Sequence, residues 1–217
     1  MTASKVVWNL PNVLTMARIA ITPVVALLPF IEGYWPKLAC FVIFIAAAVT
    51  DVIDGRIARR RGLISDFGIT YDPLADKLLL LATLGPIWWI SSERQALYGI
   101  PFWGSIPLWV CLLLIGREFA MTAFRAWAGR KGVMVPAGHA GKLKAVLQNV
   151  FIGGTLAWFA FRDALRPLGW EGTPLAGWWN QFHGGFVAAT LGIATTLTIY
   201  SFVVYVVQYR RLFRSTS

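Results

Sequence analysis

The sequence predicts an all-α integral membrane protein, six transmembrane helices in one bundle, and three observations predict it. Of 217 residues, 57% are hydrophobic and only 14% charged. The apolar residues come in long runs and not in the amphipathic stripes of a soluble helix, which places the chain in the membrane class. Six of those runs approach the roughly 20 apolar residues that a helix needs to cross the hydrocarbon layer.

In chain order, the first span is expected over 13–31 and stops at Glu32-Gly33. Residues 1–7 are too short and polar for a cleaved leader, so this first run reads as a retained span. Asn12, just after Pro11, has the residue type of a helix N-cap. The second span covers 38–57 and ends in the basic turn at Arg61-Gly62. The third covers 74–90 and is closed by Ser91-Ser92. Pro73 stands before it, and an interior proline costs about 3 kcal/mol outside the first turn, so this helix should start or kink there. The fourth span, 106–127, leads into a glycine-rich connection over 132–138. The fifth covers 143–161. The sixth, 187–207, follows a connection over 166–185 that contains Pro167 and Pro174. One domain over 1–217 is expected, with no second soluble domain, repeat or low-complexity tail.

Lys and Arg are retained on the cytoplasmic side of membrane spans. With both termini cytoplasmic, one face collects Lys5, Arg18, Arg56, Arg59, Arg60, Arg61, Lys77, Arg117, Arg125, Arg130, Lys131, Lys142, Lys144, Arg210, Arg211 and Arg214. The other face keeps only Lys37, Arg94, Arg162 and Arg166. This places a multi-pass chain in the inner (cytoplasmic) membrane. The net charge of +10 is explained by topology and anionic headgroups, and no nucleic-acid partner is expected. Cys40 and Cys111 fall inside spans, where burial as small apolar groups is their expected role. Trp8, Trp88, Trp89, Trp178 and Trp179 mark span ends as an aromatic belt. His139 and His183 lack ligand spacing. Gly153-Gly154 and Gly184-Gly185 either allow close helix contact or form bends.

The chemistry concentrates in four aspartates. Asp51 and Asp54 are three residues apart, Asp72 and Asp76 four apart, so on helices each pair shares a face. Both pairs fall at the cytoplasmic ends of the second and third spans. Gly55, Ala58 and Gly68 lie on the same stripes, and their missing side chains open a slot beside the carboxylates. Four carboxylates in a region of reduced dielectric repel one another and need a compensating cation. An all-oxygen donor set without Cys or His favours Mg²⁺ or Mn²⁺ over zinc, and four acids suit two ions. Such a pair can hold a diphosphate while a flanking carboxylate takes a proton from a nucleophile. The alternative is an interfacial charge network with Arg56, Arg59, Arg60, Arg61 and Lys77. Four acids at fixed spacing favour a site, because acids within membrane spans are functional by default.

The stretch from Asp51 to Asp76 resembles, at all eight fixed positions, the signature D-x2-D-G-x2-A-R-x8-G-x3-D-x3-D of the CDP-alcohol phosphatidyltransferases. The resemblance implies a six-helix membrane fold, usually homodimeric, that joins a CDP-linked lipid or alcohol to an acceptor hydroxyl and releases CMP. It implies that Asp51, Asp54, Asp72 and Asp76 bind two divalent ions, with Asp76 also the general base. It further implies that Asp54, Gly55, Ala58, Arg59 and Gly68 form the CDP pocket.

The opening Asn9-Leu10-Pro11-Asn12-Val13-Leu14-Thr15-Met16-Ala17-Arg18 is similar to the phosphatidylglycerophosphate synthase branch of that family. So are Asp72-Pro73-Leu74-Ala75-Asp76-Lys77, Gly116-Arg117-Glu118 with Arg125, and Gly141-Lys142-Leu143-Lys144 with Gln148; the segment over 161–186 contributes nothing. The branch resemblance implies CDP-diacylglycerol as donor and glycerol 3-phosphate as acceptor. A phosphorylated acceptor brings a dianion toward carboxylates and needs cations of its own. Arg117, Arg125, Lys142 and Lys144 are the candidates. Glu118, Thr122 and Arg125 share one helical face, Lys144 and Gln148 another. Two readings stand for them: a phosphate site, or a structural Glu118–Arg125 pair with lysines marking a span end.

Two rivals follow. One is a synthase of the same family with another acceptor, making cardiolipin, phosphatidylinositol-type lipid or phosphatidylserine. The other is a divalent-metal transporter, against which the clustering of acids at one membrane face argues.

Overall fold

The computed structural model describes residues 9–61, 65–93, 100–133, 135, 139–170 and 172–209. The side chains of Ala58, Arg59, Arg61, Asp66, His139, Ala140 and Lys142 lie outside that description. Among the described residues there are six α-helices: α1 (Leu10–Leu27), α2 (Tyr34–Arg61), α3 (Asp66–Glu93), α4 (Leu108–Arg130), α5 (His139–Leu165) and α6 (Pro174–Gln208). Short 3₁₀ turns follow α1 at Leu28–Phe30 and α5 at Arg166–Leu168. The helix count agrees with the sequence reading, and the described residues are all-helical apart from loops and one isolated bridge between Ile100 and Gly104.

Local sequence explains where the helices begin and end. Asn9 caps α1 by accepting a 2.9 Å hydrogen bond from the Asn12 amide, with Pro11 in the first turn, where its missing N–H costs nothing. The cap is thus Asn9, and Asn12 is a buried residue inside the helix. At the end of α4, Gly132 takes φ 74°. Its amide bonds to Gly129 O and the Val133 amide to Ala128 O, both at 3.0 Å, the paired bonds of a Schellman stop that favours glycine.

Two boundaries differ from expectation. The third helix does not start at Pro73 but begins at Asp66 and runs through both Pro73 and Pro86. The start places Gly68, Asp72 and Asp76 on one continuous helix. The last helix begins at Pro174 rather than near 187. Its 35 residues give a length of about 52 Å, and Gly184-Gly185 are interior to it, not a bend in a connection.

Five helical stretches are long and apolar enough to cross a membrane by length and composition: Leu10–Phe30, Tyr34–Ile57, Phe67–Glu93, Leu143–Leu168 and Pro174–Gln208. The helix outside this set is α4, which holds Arg117, Glu118 and Arg125 within one stretch of nine residues. The chain is accordingly a multi-pass membrane protein. Large apolar side chains such as Leu27, Trp35, Leu112, Tyr200 and Val207 point outward, as lipid-facing positions do when the surrounding solvent is hydrocarbon.

The chain forms two compact units, Met1–Ile90 with Gly153–Ala176, and Ser91–Ile152 with Gly177–Ser217. In the first, Val25, Cys40, Phe44, Ala75, Leu84, Ile87 and Phe159 are buried. A β-carbon on Gly153 would lie 3.3 Å from Ile45 Cδ1 and 3.6 Å from Phe44 Cε1. Gly153 therefore serves close contact between α5 and α2. In the second, Ile106, Val110, Cys111, Leu114, Met121, Leu191 and Ala194 are buried. Both cysteines are free and buried.

Candidate active site

The first unit holds the aspartates, and its organising residue is Arg18 of α1. Arg18 Nη1 donates to Asp51 Oδ1 at 2.7 Å and to Asp76 Oδ1 at 2.9 Å, while Nη2 donates to Asp54 Oδ2 at 2.9 Å. The fourth acid is held one helical turn earlier on α1, where Thr15 Oγ1 donates to Asp72 Oδ1 at 2.5 Å. Carboxylates from α2 and α3 therefore converge on one face of α1. Helical spacing brings each pair to one side of its helix, and the arginine brings the two pairs together.

Exposure grades across the cluster. Arg18 is 3% exposed and Asp54 5%, whereas the side chains of Asp51 and Asp76 are 40% and 53% exposed. Asp54 thus forms the inner wall, and Asp51 and Asp76 the open side. Beside them, Ser65 Oγ donates to Asn12 Oδ1 at 2.8 Å and accepts from the Gly68 amide at 3.1 Å. A β-carbon on Gly68 would sit 3.4 Å from Asn12 Oδ1, 3.4 Å from Ser65 Oγ and 3.5 Å from Asp72 Oδ2. The glycine keeps a cradle of three oxygens open that any larger side chain would fill.

This donor set suits hard divalent cations: every ligand atom on offer is an oxygen, most of them from carboxylates, with no Cys or His among them. The Gly68 cradle leaves room beside Asp72. Among the described residues, no three His, Cys, Asp or Glu side chains are already gathered as an ion would hold them, and three of the carboxylates are engaged by the Arg18 guanidinium. Gly55 is half-buried on α2, next to Asp54. Ala58 and Arg59 lie on the same helix, but their side chains fall outside the described set.

The second unit contains a separate ionic cluster centred on Glu118 of α4. Glu118 Oε1 pairs with Lys144 Nζ from α5 and accepts from Arg117 Nη1 at 3.0 Å. Arg117 Nη2 donates onward to Ser201 Oγ of α6 at 3.1 Å. Lys144 is 1% exposed. The partners of Glu118 are thus Lys144 and Arg117, and Arg125 is exposed and outside the pair. Thr122 donates to the Glu118 backbone carbonyl. Lys142 contributes no described side chain. Ser201 was invisible to sequence reasoning, since a serine in an apolar helix has no distinguishing spacing.

A third cluster also escaped the sequence reading. In the first unit, Asp163 of α5 pairs with Lys37 of α2 through Oδ2 and with Arg162 Nη2 at 3.0 Å through Oδ1, and it accepts from the Gly33 amide at 3.2 Å. The sequence reading counted Lys37 and Arg162 only as cations of the outer face, and they are 5% and 8% exposed. A basic residue near a span end signals topology, and only a nearby acid such as Asp163 hints at burial.

The sequence profile of the CDP-alcohol phosphatidyltransferases matches residues 8–213. The chain belongs to this family. Among curated members, it is 37% identical over 159 residues to an Arabidopsis thaliana protein named CDP-diacylglycerol--glycerol-3-phosphate 3-phosphatidyltransferase 2, covering 71% of this chain and 66% of that one. It is 36% identical over 148 residues to a Mycobacterium tuberculosis protein named probable phosphatidylglycerophosphate synthase, covering 67% and 64% respectively. It is 40% identical over 127 residues to an Oryza sativa protein named cardiolipin synthase (CMP-forming), covering 58% of this chain and 38% of that one. The chain thus spans just under two thirds of the length of the first two. The signature from Asp51 to Asp76 lies within the matched residues. The convergence of its acids on one face of α1 is the geometric counterpart of that signature.

Proposed function

We propose that this protein transfers the phosphatidyl group from CDP-diacylglycerol to glycerol 3-phosphate, releasing CMP, as an enzyme of phospholipid synthesis. The observation that carries the reading is the meeting of four carboxylates from α2 and α3 at Thr15 and Arg18 of α1, in a chain of this family. Relatives named for this reaction support the choice of donor and acceptor.

Asp51, Asp54, Asp72 and Asp76 would hold two Mg²⁺ or Mn²⁺ ions. When bound, such ions supply charge neutralisation at the donor diphosphate and at the phosphorus under attack. Asp76, on the open side of the cluster, takes the proton from the acceptor hydroxyl. The acceptor oxygen then forms its bond to the β-phosphorus of the donor, the bond from that phosphorus to the CMP oxygen breaks, and CMP leaves with the electron pair. Gly68 keeps space beside Asp72 for the nucleotide end of the donor, and Asp54, Gly55, Ala58 and Arg59 complete the CDP pocket as the family resemblance implies. Arg117 and Lys144, with Arg125 and Lys142, supply the cations for the acceptor phosphate. The excess of Lys and Arg on one side of the spans supports the cytoplasmic face of the inner membrane as the setting of this chemistry. A homodimer is the proposed assembly, as the family resemblance implies.

A second acceptor merits testing because one relative is named as a cardiolipin synthase at 40% identity. Purified protein supplied with CDP-diacylglycerol and, in separate reactions, glycerol 3-phosphate, phosphatidylglycerol, inositol phosphate or serine distinguishes them by product mass. Phosphatidylglycerophosphate formed only with glycerol 3-phosphate is the expected result. Cardiolipin from phosphatidylglycerol would replace the proposed acceptor.

A further inference from the structure

We propose that Arg18 is a resident counter-cation of the aspartate cluster, occupying the carboxylate oxygens that a divalent ion would take, so that its salt bridges and ion binding compete. This rests on the metal reading above and concerns what sets the affinity of that site. Its basis is the position of the guanidinium. Two of its nitrogens reach Asp51 Oδ1, Asp54 Oδ2 and Asp76 Oδ1 at 2.7 to 2.9 Å, spanning both α2 and α3.

Arg18 is the only charged residue in the 18 residues of α1, and it is 3% exposed. An arginine inside an apolar helix is expensive unless it is paired or functional. Here pairing is so favoured that Nε is left buried without a hydrogen-bond partner. The guanidinium is thus aimed by the carboxylates and not by its own full satisfaction. Among the described side chains of the cluster, four acids meet one arginine, a formal surplus of three negative charges that still attracts cations. Yet an ion drawn onto these oxygens meets a fixed positive charge, and like charges at such range in a partly desolvated site repel strongly.

Two consequences follow by linkage. Arg18 holds α1, α2 and α3 together without an ion, and it weakens ion binding by the free energy of the salt bridges that binding must break. Removing it should therefore destabilise the chelated protein and tighten metal binding together. A residue that merely stabilised the fold would do only the first, and one that helped coordinate the ion through its neighbours would loosen metal binding.

The test uses the purified full chain in detergent, with melting followed in chelator and in Mn²⁺, and with Mn²⁺ affinity read by electron paramagnetic resonance. Arg18→Gln is expected to melt lower than wild type in chelator, to gain more on Mn²⁺ addition, and to bind Mn²⁺ about tenfold tighter, the effect of one displaced interaction of ordinary strength. Arg18→Lys, whose compact ammonium cannot bridge three carboxylates as the planar fork does, should fall between and provides the same readout if Arg18→Gln does not fold. Equal or weaker Mn²⁺ binding in the variant that folds overturns the proposal while leaving the metal site standing. Failure of wild type and variants alike to bind Mn²⁺ removes the metal reading itself, and the proposal with it.

Discussion

Two buried charge clusters in the first unit, at opposite ends of α2, are built from the same groups and differ in balance. At the start of α2, one acid, Asp163, is shared by two cations and a backbone amide. Its side chain is 1% exposed and those of Lys37 and Arg162 are 5% and 9% exposed. At the end of α2 one cation, Arg18, is shared by three acids, two of which remain about half open to solvent. The first is a closed knot with every acid oxygen engaged. The second keeps acid oxygens in surplus and within reach of a ligand. A buried ion pair alone is weak evidence of function, and what separates these clusters is charge surplus joined to access.

The comparison breaks first at Asp76. Replacing Asp76 with Asn removes the proposed base from the open cluster and should lower CMP release about 10²- to 10⁴-fold, the range for losing a general base. Its melting temperature should stay close to wild type, since Asp51 and Asp54 still hold Arg18. Retained turnover would reduce the open cluster to a second structural knot. The reverse is expected of the closed cluster. Asp163→Ala strands two buried cations and should cost about 3–5 kcal/mol of stability, measured by denaturation in detergent, while turnover per folded molecule is unchanged. A loss of activity without a loss of stability would mean that the closed cluster also handles substrate.

Two smaller effects sharpen the contrast. Gly68→Val fills the oxygen cradle beside Asp72, and if that cradle admits the nucleotide, the KM for CDP-diacylglycerol should rise by about tenfold, equivalent to roughly 1.4 kcal/mol of binding, with folding retained. An unchanged KM would place the nucleotide elsewhere. Lys37→Met leaves Arg162 to hold Asp163, so it should cost less than Asp163→Ala, about 1.5–3 kcal/mol for one charge-assisted bond. A cost equal to that of Asp163→Ala would show that Arg162 cannot hold the acid alone.

Much of the site was legible before any coordinates. The spacing of Asp51 with Asp54 and of Asp72 with Asp76 encodes a shared face wherever those segments are helical, and they are. Gly68 was legible for the same reason, lying one turn before Asp72. Arg18 was read as a topological cation and as part of an opening motif, not as the centre of the cluster, because nothing local ties a residue on α1 to acids 33, 36 and 58 positions away. The pairing of Lys37 and Arg162 with Asp163 was missed for a related reason: a cation at a span end is equally compatible with headgroups and with a buried acid. A start of the third helix at Pro73 was one of two readings of a local rule for isolated helices, whereas neighbouring groups inside a protein can re-satisfy the backbone that proline frees, and the helix runs on through it. The true partners of Glu118 come from the adjacent Arg117 and from Lys144, 26 residues away. A shared-face argument along α4 pointed to Arg125 and passed over the adjacent Arg117.

Periodicity, composition and the spacing of acids are properties of a chain read locally, and they were enough for the helical membrane class and for pairing the four carboxylates on helix faces, while the family came from the resemblance of one motif. Which cation those carboxylates surround, which acids face outward, and which charges are sealed away depend on helices distant in sequence coming into contact. Electrostatic energy depends on distance in space and on the water each group loses, and neither quantity exists until the helices have packed.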